Sequence, residues 1–357
     1  MKKVCFLIGN MSSSGGTERV TSIIANELVS ANFDIFILSL INGEQPFFSL
    51  NENIHLDSLY TQKVSMKKNF LGCCLKIRKY VQEHEIETLI VVDSISCVFT
   101  VPALFGLKIN HICWEHFNFN VDLGIKFRNL GRKWAAKYCD HIVTLTKRDK
   151  ILWEEGLSKI NAKITPIANP TPYTNTKCSS SLEFKSILAL GRLTFQKGFD
   201  LLIEAWGKVC QSNSDWKLYL VGDGEDEAFL KAQAKKLNII DRISFSPATK
   251  NVEQYYLKSS FYCMSSRFEG LPMVLLEAQA HGLPIISFDC DTGPSEIILN
   301  NMTGYLVPNL DVESLANSLL KAISLNANEY SYLSLNSIEN NKEFIVDTIL
   351  ESWIKIL

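Results

Sequence analysis

No apolar run in these 357 residues is long enough to cross a bilayer, since a spanning helix needs about 20 consecutive apolar residues. The first ten residues begin with Lys2 and Lys3, but the apolar stretch after them is short and Gly9 leads straight into a polar loop. That opening reads as a first strand, and no signal peptide is expected. Ten cysteines are present, including the adjacent Cys73 and Cys74, yet none stands in C-x-x-C spacing. At this size a disulfide framework is not expected, so the thiols read as reduced and the setting as cytosolic. The six histidines show no H-x-x-x-H or comparable ligand spacing, and no metal site is expected.

Two stretches lack acids altogether. Between Asp57 and Glu83 stand Lys63, Lys67, Lys68, Lys76, Arg78 and Lys79, interleaved with Phe70, Leu71, Leu75 and Ile77. Between Asp122 and Asp140 stand Lys126, Arg128, Arg132, Lys133 and Lys137, with Phe127, Leu130 and Trp134. Residues 1–170 carry a net charge of +4 and residues 171–357 one of −6, against −2 for the whole chain. A basic amphipathic surface can lie on an anionic leaflet, each basic residue contributing about 1 kcal/mol. The alternative is a pair of solvated helix faces. Neither stretch belongs to a nucleic-acid-binding module, and no nucleic acid partner is expected.

What is present is a globular composition, 46% apolar and 21% charged, in a chain long enough for two domains. Short apolar runs alternate with helical ones. Strands are read at residues 2–8, 33–40, 88–93, 110–114 and 141–146, the last closing the first set, with a helix from about Thr17 to Ala31. Residues 169–183, rich in Pro, Thr, Ser and Asn, form the linker. The pattern then restarts with strands at 186–191, 217–222, 243–247, 261–265 and 284–288. A helix at 198–210 has Phe199, Leu202, Ile203, Trp206 and Val209 on one face. The fold class is α/β, with two doubly wound parallel sheets.

Residues 267–304 hold the densest chemistry. Glu269 and Glu277 flank a short loop and the first turns of a helix. Pro272 suits the first helical position, since it has no N–H to leave unpaired. The free N–H groups of Met273 and Val274 would then favour an anion. Glu277, four residues after Met273, shares that face about 6 Å further on. A carboxylate there repels phosphate but accepts sugar hydroxyls, a combination that suits a nucleotide sugar.

This E-x7-E pair resembles the signature of retaining glycosyltransferases of family 4, which have the GT-B fold. Four further segments occur in the family's order. Gly191-Arg192-Leu193-Thr194-Phe195-Gln196-Lys197-Gly198 resembles its phosphate-binding loop, and Val221-Gly222-Asp223-Gly224 a strand end of its second domain. Gly304-Tyr305-Leu306-Val307-Pro308 resembles the closing strand, and Gly15-Gly16-Thr17-Glu18-Arg19-Val20 the glycine loop facing the acceptor. The resemblance implies two Rossmann-like domains facing across a cleft: 1–168 on the acceptor side and 184–341 binding the nucleotide sugar. It also implies a last helix, about 342–357, packed back on the first domain.

By the same resemblance Arg192 and Lys197 hold the diphosphate, Glu277 the ribose hydroxyls, and Glu269 the donor sugar near the reacting centre. Gly270, Met273 and Val274 offer backbone to the donor. Arg supplies a planar fork for phosphate oxygens and Lys a mobile point charge, so their work is electrostatic as charge grows on the leaving group. Gly15 and Gly16 let the backbone approach the diphosphate or acceptor. His116 follows a first-domain strand, where family members carry a histidine that touches the donor; Glu115 beside it is equally eligible. The catalytic set is thus Glu269, His116, Arg192 and Lys197. Glu269 is not assigned as a nucleophile, because the family is thought to react on one face of the sugar.

Two motifs are set aside. Residues 222–227 partly mimic a dinucleotide fingerprint, but Glu227 replaces the third glycine and the acids there oppose a pyrophosphate. Asp289-Cys290-Asp291 spells a D-x-D metal motif, but a loop role is preferred. The expectation is a metal-independent, retaining transferase using a UDP-linked hexose or N-acetylhexosamine, with no other cofactor. Its acceptor would be a polyprenyl-linked or other saccharide of capsule, O-antigen or related glycan, met at the inner face of the cytoplasmic membrane. The alternatives are a sugar-nucleotide 2-epimerase of the same fold and a non-catalytic nucleotide-sugar-binding subunit.

Overall fold

Strands that are buried on both faces need helices on both sides, and each half of this chain meets that need in its own parallel sheet. The computed structural model describes residues 1–173 and 180–357; residues 174–179, inside the expected linker, lie outside the described residues. The chain forms two compact units, Met1–Pro170 with Val346–Leu357, and Thr171–Ile345.

In the first unit the strands are β1 (Lys3–Ile8), β2 (Asp34–Ser39), β3 (His55–Ser58), β4 (Thr88–Val92), β5 (Asn110–Trp114), β6 (His141–Thr144) and β7 (Lys163–Pro166). They lie in the order β3-β2-β1-β4-β5-β6-β7, all parallel. The crossovers carry α1 (Gly16–Ser30), α2 (Phe70–Glu83), α3 (Cys97–Leu104), α4 (Lys126–Tyr138) and α5 (Lys147–Gly156). The order reverses between β1 and β4, so the loops after these strands open at the topological switch point, where such sheets bind ligands. The expected set closed one strand too early: β7 follows β6, and β3 pairs with β2. Both are four-residue edge strands with little burial, so neither has an apolar run to betray it.

Arg128 and Arg132 depart from the expected basic outer face of α4. Both are buried, because Gly131, Ala135 and Ala136 set the same helix face against the core. A Cβ on Gly131 would stand 2.2 Å from the Ser94 carbonyl oxygen, so glycine lets α4 approach the β4–α3 loop. The outer face retains Lys126, Lys133 and Lys137, with Phe127 and Leu130 exposed.

The second unit has β8 (Ser186–Leu190), β9 (Lys217–Val221), β10 (Ile243–Ser246), β11 (Phe261–Met264), β12 (Ile285–Asp289) and β13 (Gly304–Pro308). Their order is β10-β9-β8-β11-β12-β13, again parallel, with the reversal between β8 and β11. Its helices are α6 (Phe199–Ser212), α7 (Glu227–Lys236), α8 (Glu253–Tyr256), α9 (Met273–Ala280), α10 (Pro294–Ile297), α11 (Val312–Ile323) and α12 (Ala327–Asn341). The apolar face of α6 enters the core as its spacing predicts, with Leu202, Ile203 and Trp206 fully buried.

The final helix α13 (Val346–Ile354) belongs to the first unit. Trp353 is fully buried, its ring edge-on to Trp114 with centroids 4.8 Å apart. The Asn110 amide donates to the Ile356 carbonyl at 2.9 Å, and the Lys2 ammonium to that of Leu357. The return begins at Val346 rather than at 342, since Lys342–Phe344 form a 3-10 turn of the second unit.

Candidate active site

The loops after β8 and β11 flank the switch point of the second sheet, and they meet there. Ser265 donates to the Lys197 carbonyl at 3.0 Å, the Arg267 N–H to the Gln196 carbonyl at 2.8 Å, and the Gln196 amide to the Phe268 carbonyl at 3.1 Å. Gly198 makes the approach possible. Its φ is +62° and a Cβ would lie 2.1 Å from the Ser265 carbonyl oxygen, so a side chain there fails on both conformation and space.

The Lys197 ammonium and the Glu269 carboxylate meet across these loops at 2.6 Å, with Glu269 buried. Arg192, in the same loop, is exposed and its side chain has no hydrogen bond or ion pair among the described residues. Thr292 donates to the Glu269 carbonyl at 2.5 Å, tying Glu269 to the loop after β12. Arg267 grips Asp200 with two bonds of 2.7 and 2.8 Å and lies over the Phe195 ring. These supporting residues were not singled out from the sequence. Arg267, two residues before Glu269, was the one available signal.

The helix after Glu269 starts one residue later than expected. Pro272 is its cap, with ψ of 107°, not its first residue. Its carbonyl accepts from Leu275, so the missing proline N–H costs nothing here. The N–H groups of Met273 and Val274 have no partner among the described residues, and Gly270 is half-buried in the loop before them. Glu277 is buried one turn into α9 and accepts from the Tyr256 hydroxyl at 2.7 Å. Burial, reinforced by the Glu277 charge, pushes the Tyr256 hydroxyl well above its ordinary range, so it remains a donor.

In the first unit Gly15 caps α1 and Gly16 opens it, directly after the loop from β1. A Cβ on Gly15 would stand 2.5 Å from a Glu18 carboxylate oxygen. Burial raises the Glu18 carboxyl, and backbone N–H groups of Glu18 and Gly15 oppose that rise.

His116 follows β5 at the same end of the sheet. Its Nε2 is enclosed with no hydrogen-bond partner among the described residues, and burial pushes the imidazole down to about 3. It is therefore neutral at pH 7 and its ring stacks at a tilt on Trp114, centroids 4.5 Å apart. A neutral imidazole with an unsatisfied nitrogen can donate or accept one hydrogen bond from a ligand.

Glu115, considered equally eligible, is an organiser of the loop instead. It is fully buried, pairs with the Arg132 Nε at 3.2 Å, accepts from Ser94 at 2.5 Å, and takes the N–H groups of His116 and Phe117 at 3.1 Å each. Arg132 also donates to the carbonyls of Asn118, Phe119 and Val121. Arg128 binds Asp93 at 2.6 Å. Asp93 is held at φ +79°, an unusual conformation for a residue with a Cβ. Burial and the Glu115 charge, opposed by Arg128, push its carboxyl up to about 6.

The family-level comparisons agree with this geometry. The model for glycosyl transferases group 1 matches residues 177–342, and that for Glycosyltransferase Family 4 matches residues 14–172. An uncharacterized glycosyltransferase of Haemophilus influenzae is 39% identical, with 100% of both chains covered. The amylovoran biosynthesis glycosyltransferase AmsD of Erwinia amylovora is 30% identical, again with 100% of both covered. Among solved structures, the lipopolysaccharide outer core galactosyltransferase WaaB in its apo form superposes with a TM-score of 0.78 at 22% identity, over 99% of this chain and 98% of that one. The chain is an α/β protein of the GT-B class. It belongs to the group 1, family 4 glycosyltransferases.

Proposed function

We propose that this glycosyltransferase moves a hexose or N-acetylhexosamine from a UDP-linked donor to a lipid-linked saccharide, in polysaccharide or lipopolysaccharide biosynthesis. The observation that carries the reading is the pairing of Lys197 with Glu269 beside the partnerless Arg192 at the second sheet's switch point. Two cations and the free N–H groups at the start of α9 match a diphosphate, whose charge grows as the glycosidic bond breaks. We assign Glu269 to the donor sugar and Glu277, one turn into α9, to the ribose hydroxyls.

In the proposed step an acceptor hydroxyl attacks the anomeric carbon on the face the diphosphate leaves. The carbon–oxygen bond to the diphosphate breaks as the new one forms, and the hydroxyl proton passes to the departing diphosphate oxygen. Configuration is retained. Lys197 and Arg192 take up the leaving charge, so neither a metal nor another cofactor is required. His116, neutral and with one nitrogen unsatisfied, is our candidate in the first unit for a hydrogen bond to the donor. The names of AmsD and WaaB support the biosynthetic setting.

For the acceptor and location we rely on the first unit. Leu71, Leu75 and Phe105 are 74%, 68% and 83% exposed, and Lys63, Lys67, Lys68, Lys133 and Lys137 are exposed on the elements around them. Lys67 lies over the Phe127 ring, joining the α2 and α4 stretches. Exposed apolar side chains among lysines suit an anionic leaflet. No described helix is long and apolar enough to cross a membrane, so attachment at the cytoplasmic face would be peripheral.

The test is a thermal-shift series with UDP, GDP, ADP, CMP and NAD at equal excess, followed by transfer from UDP-sugars to lipid-linked acceptors. A ligand at about a hundred times its dissociation constant adds roughly 2.7 kcal/mol of stability. UDP alone should stabilise the protein, and the product linkage should keep the donor's anomeric configuration. Stabilisation by another nucleotide would refute the donor, inversion would refute the step, and turnover of UDP-N-acetylglucosamine without acceptor would refute transfer.

A further inference from the structure

Three cysteines and a histidine that no transfer role uses converge in the core of the first unit. Cys97 opens α3, His111 and Cys113 share one face of β5, and Cys139 immediately precedes β6. All four are buried. The ligand atoms of Cys97, His111 and Cys139 lie within 4.8 Å of one another, and no other trio of His, Cys, Asp or Glu among the described residues is so arranged. Cys113, two residues after His111 on β5, is buried with them but lies outside that trio. We propose that Cys97, His111 and Cys139 form a site for a thiophilic divalent cation, Zn2+, with the neighbouring buried Cys113 as the candidate fourth ligand.

The imidazole is already set for coordination. Its Nε2 stands 3.0 Å from the Thr100 hydroxyl, and its Nδ1 3.5 Å from the Cys139 sulfur. With the Nε2 proton given to Thr100, the Nδ1 lone pair faces the thiols. Ligating histidines hold their tautomer through such an outer hydrogen bond. The His111 backbone N–H donates to the Asp140 carboxylate at 2.8 Å, which anchors the main chain beneath the ring. Bond lengths of about 2.3 Å to sulfur and 2.0 Å to nitrogen place tetrahedral ligands about 3.6–3.8 Å apart. The His111–Cys139 separation fits this already, and no pair in the trio, all within 4.8 Å, needs to close by more than about 1 Å.

Access is available on the His111 side. A pocket of about 670 Å3, lined by Val101, Leu104, Phe105, Trp134, Tyr138 and His111 among others, opens from the surface onto His111. Binding releases the thiol protons to solvent. His111 and Cys139 lie at the starting ends of β5 and β6, whereas ligands bind beyond the finishing ends. The cation would brace α3, α4 and the sheet rather than touch substrate.

The test is a Co2+ titration of the full-length protein, purified under reducing conditions and stripped with a chelator. One Co2+ per chain should bind with the ligand-field spectrum of a tetrahedral ion and a thiolate charge-transfer band. Zn2+ should bleach that spectrum and raise the unfolding temperature, leaving UDP binding unchanged. Cys139→Ala and His111→Gln should each weaken Co2+ binding at least tenfold; should either fail to fold, the wild-type titration and its reversal by Zn2+ still decide. Co2+ bound without the charge-transfer band would mean surface carboxylates and overturn the site. So would no binding, or a UDP affinity that changes with the metal.

Discussion

The Lys197 ammonium is bound to the Glu269 carboxylate at 2.6 Å, so an incoming diphosphate must share or take that cation. The two residues therefore report differently on binding. Lys197→Ala removes a phosphate contact and strands a buried carboxylate, which costs about 3–5 kcal/mol where no ligand or water compensates. UDP affinity should fall at least tenfold by calorimetry, and the melting temperature should drop. Glu269→Ala releases Lys197, so UDP should bind as tightly as before or better, while transfer should fall by about 100-fold or more. An active Glu269→Ala enzyme would remove Glu269 from the reacting centre.

Gly198 offers a purely steric test. Its left-handed φ costs an alanine about 1–2 kcal/mol, before the 2.1 Å approach to the Ser265 carbonyl is relieved. Gly198→Ala should thus destabilise by about 2 kcal/mol or more in urea unfolding and weaken UDP binding through the displaced Lys197. Gly207 is the control. It lies inside α6, where a Cβ meets nothing closer than 3.5 Å, so Gly207→Ala should stabilise by about 0.5–1 kcal/mol. Equal effects at both positions would refute the close-approach argument.

The buried Asp149 gives a pH signature. It accepts the Phe119 N–H at 2.8 Å, yet burial pushes its carboxyl up to about 7, aided by Glu115 and opposed by Arg132 and by that N–H. The folded chain therefore holds a proton that the unfolded chain releases near its ordinary value of about 3.9. Stability from this group is full below that pH and is lost as pH rises to about 7. Asp149→Asn keeps the acceptor and removes the titration. It should flatten the loss between about pH 4 and 7 and stabilise the protein at pH 8, read from urea midpoints across pH. An unchanged pH profile would place the proton elsewhere.

The membrane reading needs lysines whose ammonium groups have no hydrogen bond or ion pair among the described residues. Lys76 donates to the Leu59 carbonyl at 2.8 Å over the Tyr60 ring, and Lys79 pairs with Glu83. The informative set is Lys63, Lys67, Lys68, Lys133 and Lys137. Reversing them to Glu should release the protein from vesicles of phosphatidylglycerol, at about 1 kcal/mol per residue, without changing UDP affinity. Undiminished flotation with the vesicles would mean these lysines are only a solvated face.

Both sheets could be read from the chain because their inner strands are continuous apolar runs, as Lys3–Ile8 and Ser186–Leu190 show. What escaped has a physical reason. The edge strands β3 and β7 present polar, half-exposed residues, so no run marks them. Arg128 and Arg132 read as surface charge because their partners, Asp93 and Glu115, are distant in sequence; the small residues sharing their helix face were the one local sign. The E-x7-E spacing located Glu269 and Glu277, but nothing local ties Lys197 to Glu269 from 72 positions away. The Cys97, His111, Cys113 and Cys139 cluster is spread over more than 40 residues of a crossover unit, so no ligand spacing announces it.

The return of Val346–Leu357 to the first unit has a consequence for synthesis. The face of Trp114 that Trp353 covers waits until residues 346–357 have been translated and have cleared the ribosome. The first unit is completed only after the whole second unit, Thr171–Ile345, has been made. Nascent chains stalled at residue 170 should therefore be cut by protease at sites that resist it in the released protein, and a chain ending at residue 345 should show the same sensitivity.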